Sequence, residues 1–234
     1  MGIRALITPV ADLSEKQVYH MLRIMQAYYH NVRRDQFLKD LEEKDWVILL
    51  WGNGCIRGFS TQMLFDYDIE GHWIRVIFSG DTIIEKHCWG SLALPVAWGR
   101  MMLSIISDCH GREVYWLLTS KGYKTYRFLP VFFREFYPSC MKETPAFEKA
   151  LLCNLGRRKF GDRFDSESCI IRALAGAQYL RLGVADITEV RRKDKHVAFF
   201  EKANPGHTRG DELVCITRCH EENIKPFVLR RLSP

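Results

Sequence analysis

The sequence predicts an α/β (α+β) protein: a central mixed sheet flanked by helices over residues 1–138, then a mainly helical C-terminal extension over residues 139–234. Three observations carry this reading. Along the first 138 residues, runs with the two-residue period of strands alternate with runs of helical period. Gly52-Asn53-Gly54 joins two β-type runs and supplies the positive φ angles that a tight hairpin requires. Hydrophobic residues make up 47% of the 234 and aromatic ones 12%, enough for a sizeable core and too many for a disordered chain.

Residues 3–9 read as a short strand ended by Pro9. Ser14 is placed as an N-cap, its hydroxyl accepting from the first helical amides, and Val18, Met21, Leu22, Met25 and Tyr28 follow at helical spacing to about Asn31. A second helix, 34–43, has Phe37 and Leu41 on one face. Residues 46–51 and 55–65 are the arms of the hairpin, and after a turn over 66–71 a third β run, 73–78, is rich in Ile and Val. A polar stretch containing Ser79-Gly80-Asp81 and ending in His87-Cys88-Trp89-Gly90-Ser91 leads into a long apolar helix that ends near Cys109 and is closed by Gly111. Residues 114–118 read as a buried strand, and Ser120-Lys121-Gly122-Tyr123 opens a helix carrying Tyr126, Leu129 and Phe133 that Pro130 bends or ends. Beyond residue 138, helices are predicted over 145–153, 166–182 and 187–203, the last with Asp186 and Glu189 as a capping box; a strand follows over 212–219. No repeat or low-complexity linker separates the two parts, so the extension reads as an elaboration packed on the core.

Lys and Arg number 34 against 28 Asp and Glu, a net charge of +6, and five of those six charges fall in residues 139–234. The excess hints at an anionic partner. It is too diffuse for a nucleic-acid binder, and no helix-turn-helix, RNP or zinc-finger signature is present. Arg157-Arg158-Lys159 and Arg191-Arg192-Lys193 read as solvated helix faces. The eight cysteines form no C-x-x-C pair and read as reduced, which implies a cytoplasmic protein without a metal site; Cys215-x-x-x-Cys219-His220 lacks a second ligand pair. The longest apolar stretch, 89–106, is broken by Pro95, Gly99 and Arg100, so no integral membrane association is expected, and the N-terminus has no apolar signal region.

The order β, α, α, β-hairpin, β, loop, α, β, α over residues 1–138 resembles the GNAT superfamily of N-acyltransferases. The matching pieces are the hairpin over 46–65 with Gly58 in its second strand, the strand 73–78, the loop 81–91, the helix beyond it, and Leu117-Leu118-Thr119-Ser120-Lys121-Gly122-Tyr123-Lys124-Thr125-Tyr126. The resemblance implies acyl transfer from a thioester donor, acyl-CoA or an acidic acyl carrier protein, to the amine or hydroxyl of a small-molecule acceptor, with no tightly bound cofactor. It implies that Val76, Ile77 and Phe78 align the donor's pantetheine arm and that the amides around Cys88, Trp89, Gly90 and Ser91 hold phosphate. It also implies that Tyr126 protonates the leaving thiol. The family's phosphate loop carries Arg or Gln, two residues, Gly, one residue, then Gly or Ala; here Glu85, Cys88 and Gly90 stand at those positions, and only Gly90 agrees. A carboxylate near a pyrophosphate repels it, so either Lys86 and His87 supply the positive charge or the donor is an acyl group on an acidic carrier protein, bound more by basic surface outside the loop.

Other residues are candidates on their chemistry. Asp81 and Glu85 lie just beyond the exposed strand, where a base could take the proton of an amine nucleophile; solvated surface residues are the plainer reading. His87 beside Cys88 invites a thiolate–imidazole enzyme, although sequence neighbours point apart. A non-catalytic binding module is a further alternative. Tyr123, His207 and Arg209 are candidate substrate contacts, the last two in the Gly-rich loop after Asn204-Pro205-Gly206, for which turn formation is an equal explanation. Nine aromatics between Tyr115 and Tyr137 either line a wide apolar groove or fill a core shared with the extension.

Overall fold

A computed structural model of the chain describes residues 2–232. Among these, eight strands form one sheet in the order β1 (Arg4–Pro9), β3 (Trp46–Gly52), β4 (Cys55–Ile69), β5 (His72–Ile84), β6 (Val114–Ser120), β10 (Glu212–Arg218), β8 (Ile170–Ile171) and β7 (Phe164–Asp165), and β2 (Tyr29–His30) pairs separately with β9 (Tyr179–Leu180). Strand β1 (Arg4–Pro9) lies antiparallel to β3 (Trp46–Gly52), which pairs with β4 (Cys55–Ile69), and β4 with β5 (His72–Ile84). Both hairpins close with two residues of positive φ: Asn53 and Gly54 at 53° and 74°, Glu70 and Gly71 at 54° and 83°. That geometry matches the twist of the flanking strands. The second hairpin carries β4 on to Ile69, and pairing of Thr82–Ile84 with Gly58–Ser60 carries β5 on to Ile84, so both strands outrun their sequence-based limits.

Helix α1 (Glu15–Tyr28) starts at the predicted cap: Ser14 Oγ accepts from the Gln17 amide at 3.3 Å and Gln17 Oε1 accepts from the Ser14 amide at 2.8 Å. Tyr29–His30 (β2) and α2 (Arg34–Glu42) follow. Helix α3 (Ala93–Asp108) is the crossover that makes β6 (Val114–Ser120) parallel to β5. The predicted helix around Tyr126 divides at Arg127 into α4 (Tyr123–Tyr126) and α5 (Phe128–Phe132).

In the extension, α6 (Ala146–Phe160) is longer than predicted, whereas the helix expected over 166–182 does not form. Asp165 instead holds a turn by accepting from the Glu167 amide and Ser168 Oγ, and Phe164–Asp165 (β7) and Ile170–Ile171 (β8) add an edge to the sheet. Tyr179–Leu180 (β9) then lies across Tyr29–His30. The capping box at Asp186 is also corrected: its carboxylate accepts the Gly183 amide, and the helix begins after Thr188 as α7 (Glu189–Arg192), breaks, and restarts with Asp194 as cap of α8 (Lys195–Ala203). Strand β10 (Glu212–Arg218) enters the middle of the sheet between β6 and β8, and α9 (Pro226–Leu232) returns to pack on α3. Part of the extension is thus inside the sheet rather than packed on it.

The sheet is covered on both faces. Trp98, Met102, Trp116, Phe133 and Phe200 fill the face under α3, α5, α8 and α9. On the other face α6 packs on Val76, Leu117 and Ile216, and α1 and α2 pack on Val47, Leu49 and Phe59. Eight of the nine aromatics from Tyr115 to Tyr137 are core residues; Phe128 alone is partly open. No described helix is long and apolar enough to cross a membrane.

Candidate active site

Strands β5 and β6 pair in parallel only from Arg75↔Val114 to Ser79↔Leu118. Beyond that point β5 stays with β4 while β6 pairs with β10, so the two parallel strands part. The parting coincides with a β-bulge: Ser60 faces Thr82 and Gln62 faces Ser79, leaving Gly80 and Asp81 together opposite Thr61. A bulge re-aims the side chains that follow it, here Asp81 and Thr82. Glycine at position 80 permits this approach: a Cβ there would sit 2.7 Å from Thr61 Oγ1 and 3.1 Å from Lys44 Cε, so any other residue would push the Thr61 and Lys44 side chains aside.

A buried hydrogen-bond chain fixes the bulge. Trp116 Nε1 donates to Ser79 Oγ at 2.9 Å, Ser79 Oγ to Gln62 Oε1 at 2.7 Å, and Gln62 Nε2 to Ser60 Oγ at 2.8 Å; Ser60 Oγ and Thr82 Oγ1 then share a bond of 2.7 Å. Satisfied networks of this kind hold a backbone in one arrangement because every alternative strands a buried polar group.

Two cavities meet where the strands part. One, of about 230 Å³, is polar and takes in Asp40, Asp81, Lys121, Arg163 and Glu212. The other, of about 240 Å³, is largely apolar and is bounded by Ile83, Ile84, Trp89, Pro95 and Phe128. Tyr29, Thr82 and Thr125 line both, so the two are contiguous at that junction. Tyr29 is brought there by the β2–β9 pairing, which sets it opposite Leu180, 151 positions on in the chain.

The half-buried Asp81 makes no hydrogen bond or ion pair among the described residues, and desolvation pushes its carboxyl up to about 6 against the opposing pull of Lys121; Asp40 and Glu212 add to the rise. Burial would lower Lys121, but the Glu212 carboxylate at 2.7 Å overrides it and holds the ammonium above its ordinary range. The Tyr29 phenol is raised, first by burial and then by Asp81 and Glu212, so it stays protonated. At the mouth of the apolar cavity, burial pushes Lys124 down to about 8, helped by Arg191 and Lys86, and its Nζ lies 3.0 Å from the centre of the Trp89 ring.

Several predicted site residues lie elsewhere. Tyr126 is fully buried, stacked among Phe136, Phe199 and Phe200, and its hydroxyl donates to the Pro138 carbonyl at 3.1 Å, so it faces neither cavity. Tyr123 is likewise buried in the core. Val76 and Ile77 are spent on sheet pairing and packing, and the backbone beside the apolar cavity is that of Thr82, Ile83 and Ile84; Phe78 lines the polar cavity. Glu85 is engaged by Arg57 at 3.2 Å and by His87 at 3.5 Å. Cys88 is buried, with its thiol raised by burial and by Glu85, and the imidazole of His87 turns to Glu85. No Cys88–His87 dyad forms.

The loop is also closed upon itself. The amides of Cys88, Trp89 and Ser91 bond to the carbonyls of Glu85, Lys86 and Cys88, and the Lys86 amide donates to the Tyr28 phenol, so none of these four is free to hold phosphate. Trp89, Gly90 and Ser91 do line the apolar cavity. His207 packs on Phe200, and neither it nor Arg209 lines the two cavities; their loop instead serves as an anchor, with Asn204 Nδ2 donating to the Asp211 carbonyl and the Asp211 carboxylate receiving the Ala173 amide and Arg172. Lys159, predicted as solvated, lies over the Phe78 ring at 4.4 Å and lines the polar cavity.

Tyr29, Thr82, Lys121, Arg163 and Glu212 were not assigned to the site from sequence. Lys121 and Glu212 carried a visible signal, a charge directly at the end of an apolar strand; Tyr29 carried none.

A scan of the sequence against family models finds no match, and a search of curated proteins finds none either. A search of solved structures finds a probable N-acyltransferase from Enterococcus faecalis at 11% identity and a TM-score of 0.43, covering 56% of this chain and 33% of that one. It also finds Escherichia coli ElaA, at 19% and 0.38 with 59% and 94% covered, and an acyl-CoA N-acyltransferase from Pseudomonas aeruginosa, at 17% and 0.38 with 56% and 88% covered. This chain thus spans a third of the first and most of the other two. On its own topology, a parallel strand pair that opens at a bulge with a crossover helix beginning beside the opening, the chain has a GNAT-like fold.

Proposed function

We propose that the chain is an acyltransferase that moves an acyl group from a pantetheine thioester to an amine by direct attack. The observation that carries this reading is the meeting of an apolar and a polar cavity at the strand opening, with the unpaired Asp81 on the polar side and three hydroxyl groups at the junction. The thioester would lie along Thr82–Ile84 with its carbonyl carbon at the junction. The amine nitrogen attacks that carbon; as the C–N bond forms and the C–S bond breaks, Asp81 takes the nitrogen's proton and the Tyr29 phenol hydrogen-bonds the departing thiolate. Neutralising Asp81 in that step removes one of the charges that raise Tyr29, so the phenol becomes a better donor as the thiolate appears.

The donor is carried by coenzyme A or by an acyl carrier protein, both of which place phosphate at the end of the pantetheine arm. With the amides of Lys86, Cys88, Trp89 and Ser91 occupied, the Gly90 amide and the cations Lys86, Lys124 and Arg191 are the groups left to meet that phosphate; Lys86 and Arg191 add to the burial that lowers Lys124. Thermal shift with coenzyme A, acyl-coenzyme A and acylated carrier protein tests the donor: stabilisation by at least one is expected, weakened about tenfold in affinity by Lys124→Gln. No stabilisation by any of the three would leave a non-catalytic module as the better reading. Tyrosine substitutions separate the two candidate phenols. Tyr29→Phe is expected to lower kcat by about 10- to 100-fold with little change in stability. Tyr126→Phe should cost about 1 kcal/mol in denaturant unfolding and leave kcat near its original value.

A further inference from the structure

The polar cavity has a charge pattern that selects its occupant. Asp40, Glu43, Asp81 and Glu212 line it, and Lys44, Lys121, Lys159 and Arg163 stand in or against it, so the two signs balance. Most of these are committed to one another. Lys121 pairs with Glu212 at 2.7 Å, Lys159 with Glu43 at 3.7 Å, Lys44 Nζ donates to the Asp40 carbonyl at 2.6 Å, and Asp40 Oδ1 receives Gln36 at 2.8 Å. Two charges remain without a hydrogen bond or ion pair from any described side chain: Asp81 on the bulge and the Arg163 guanidinium at the rim.

Resting on the transferase reading, we propose that the acceptor is an amino-carboxylate, a free amino acid or the end of a short peptide, whose amino group meets Asp81 and attacks as the neutral amine, and whose carboxylate meets Arg163. A simple alkylamine would leave Arg163 unanswered, and a diamine would bring a second cation against it. A guanidinium offers paired N–H donors in the plane that a carboxylate accepts, which gives orientation as well as attraction. The cavity volume of about 230 Å³ holds a small amino acid. Arg163 also borders a further chamber of about 470 Å³, formed partly by residues 173–178, which gives the rest of a larger side chain or a second residue somewhere to go.

Calorimetric titration of the full chain, alone and with coenzyme A present, tests this with a panel of free amino acids and dipeptides, their C-terminal amides, their N-acetyl forms and simple alkylamines. At least one free amino acid or dipeptide is expected to bind about tenfold tighter than its amide and its N-acetyl form. Arg163→Gln is expected to erase the preference over the amide while leaving the melting temperature unchanged, since Arg163 is exposed; Arg163→Lys should restore part of it. Whether amino acids or dipeptides bind tells the two sources apart. Equal binding of amide and acid, an unchanged preference in Arg163→Gln, or no binding by any amino-carboxylate in the panel each overturns the proposal. Zwitterion binding without any donor binding or acyl transfer would instead overturn the transferase reading and leave the ligand assignment standing.

Discussion

Asp81→Asn is expected to lower kcat for acyl transfer to an amine by about 10²- to 10⁴-fold, the usual loss when a general base is removed. The amide has nearly the shape of the carboxylate, so donor binding measured by thermal shift should persist. The pH profile gives a sharper check. A base must be deprotonated to act, and Asp81 is raised to about 6 by burial; kcat/KM for the original chain should therefore show a limb that rises with pH through about 6. In the variant that limb should be missing. Stability moves the other way. The folded-state carboxyl holds its proton to a higher pH than the unfolded value of about 3.9, so the native state binds more protons between pH 4 and 6 and loses stability as pH rises through that window. Above it the ionised carboxylate remains a cost of folding. Asp81→Asn should therefore melt at a higher temperature than the original chain at pH 7.5 and at the same temperature at pH 3. A stabilised, inactive variant is the signature of a residue retained for chemistry; a variant that is active, or less stable at pH 7.5, would remove Asp81 from the proposed role.

Gln62→Leu is expected to destabilise the chain by about 2–4 kcal/mol in denaturant unfolding. Gln62 is fully buried and joins Ser79 to Ser60, so an apolar replacement leaves one hydroxyl without its acceptor and another without its donor, each costing about 1–2 kcal/mol. The effect should reach the site, because Ser60 in turn holds Thr82 at the junction of the cavities. At a temperature where the variant is folded, donor affinity should fall while Lys124→Gln and Gln62→Leu remain additive, the two acting through different contacts. A loss of stability with unchanged donor affinity would show that the chain of hydrogen bonds supports the sheet without positioning Thr82.

The local elements were legible where local chemistry decides them. Ser14 caps α1 and Asn53-Gly54 turns the first hairpin because each outcome depends on a few neighbouring dihedrals and one or two hydrogen bonds. The helix read over 166–182 shows the limit of periodicity. Its apolar spacing is as good as that of a real helix, but Asp165 and Ser168 bond the backbone into a turn, and Ile170 and Ile171 gain more by joining the sheet edge. Leu182, which a helix would have buried, is 93% exposed.

Of the candidate site, Asp81 was readable as a carboxylate just beyond an apolar strand, with a solvated surface residue as the plainer reading, and Trp89, Gly90 and Ser91 as a loop before a helix; in the structure all four line the cavities. The structure puts the Tyr126 ring in the core and the Tyr29 ring at the junction of the cavities. Both Tyr29 and Tyr126 sit near helix ends, and nothing within their own segments says which ring turns into the core. That was decided by partners far along the chain: Phe199 and Phe200 close over Tyr126, while Tyr179–Leu180 pairs with β2 and holds Tyr29 beside Asp81. By itself the sequence determined the order of the main elements over residues 1–138, the first hairpin, the α/β class and the positive surplus, because hydrophobic period, turn stereochemistry and charge act over a few residues. Only the tertiary structure decided which hydroxyls and charges face one another across the opening. Their distances are set by strand pairing and core packing between residues as far apart as Tyr29 and Leu180, and their proton affinities by the burial that this packing creates.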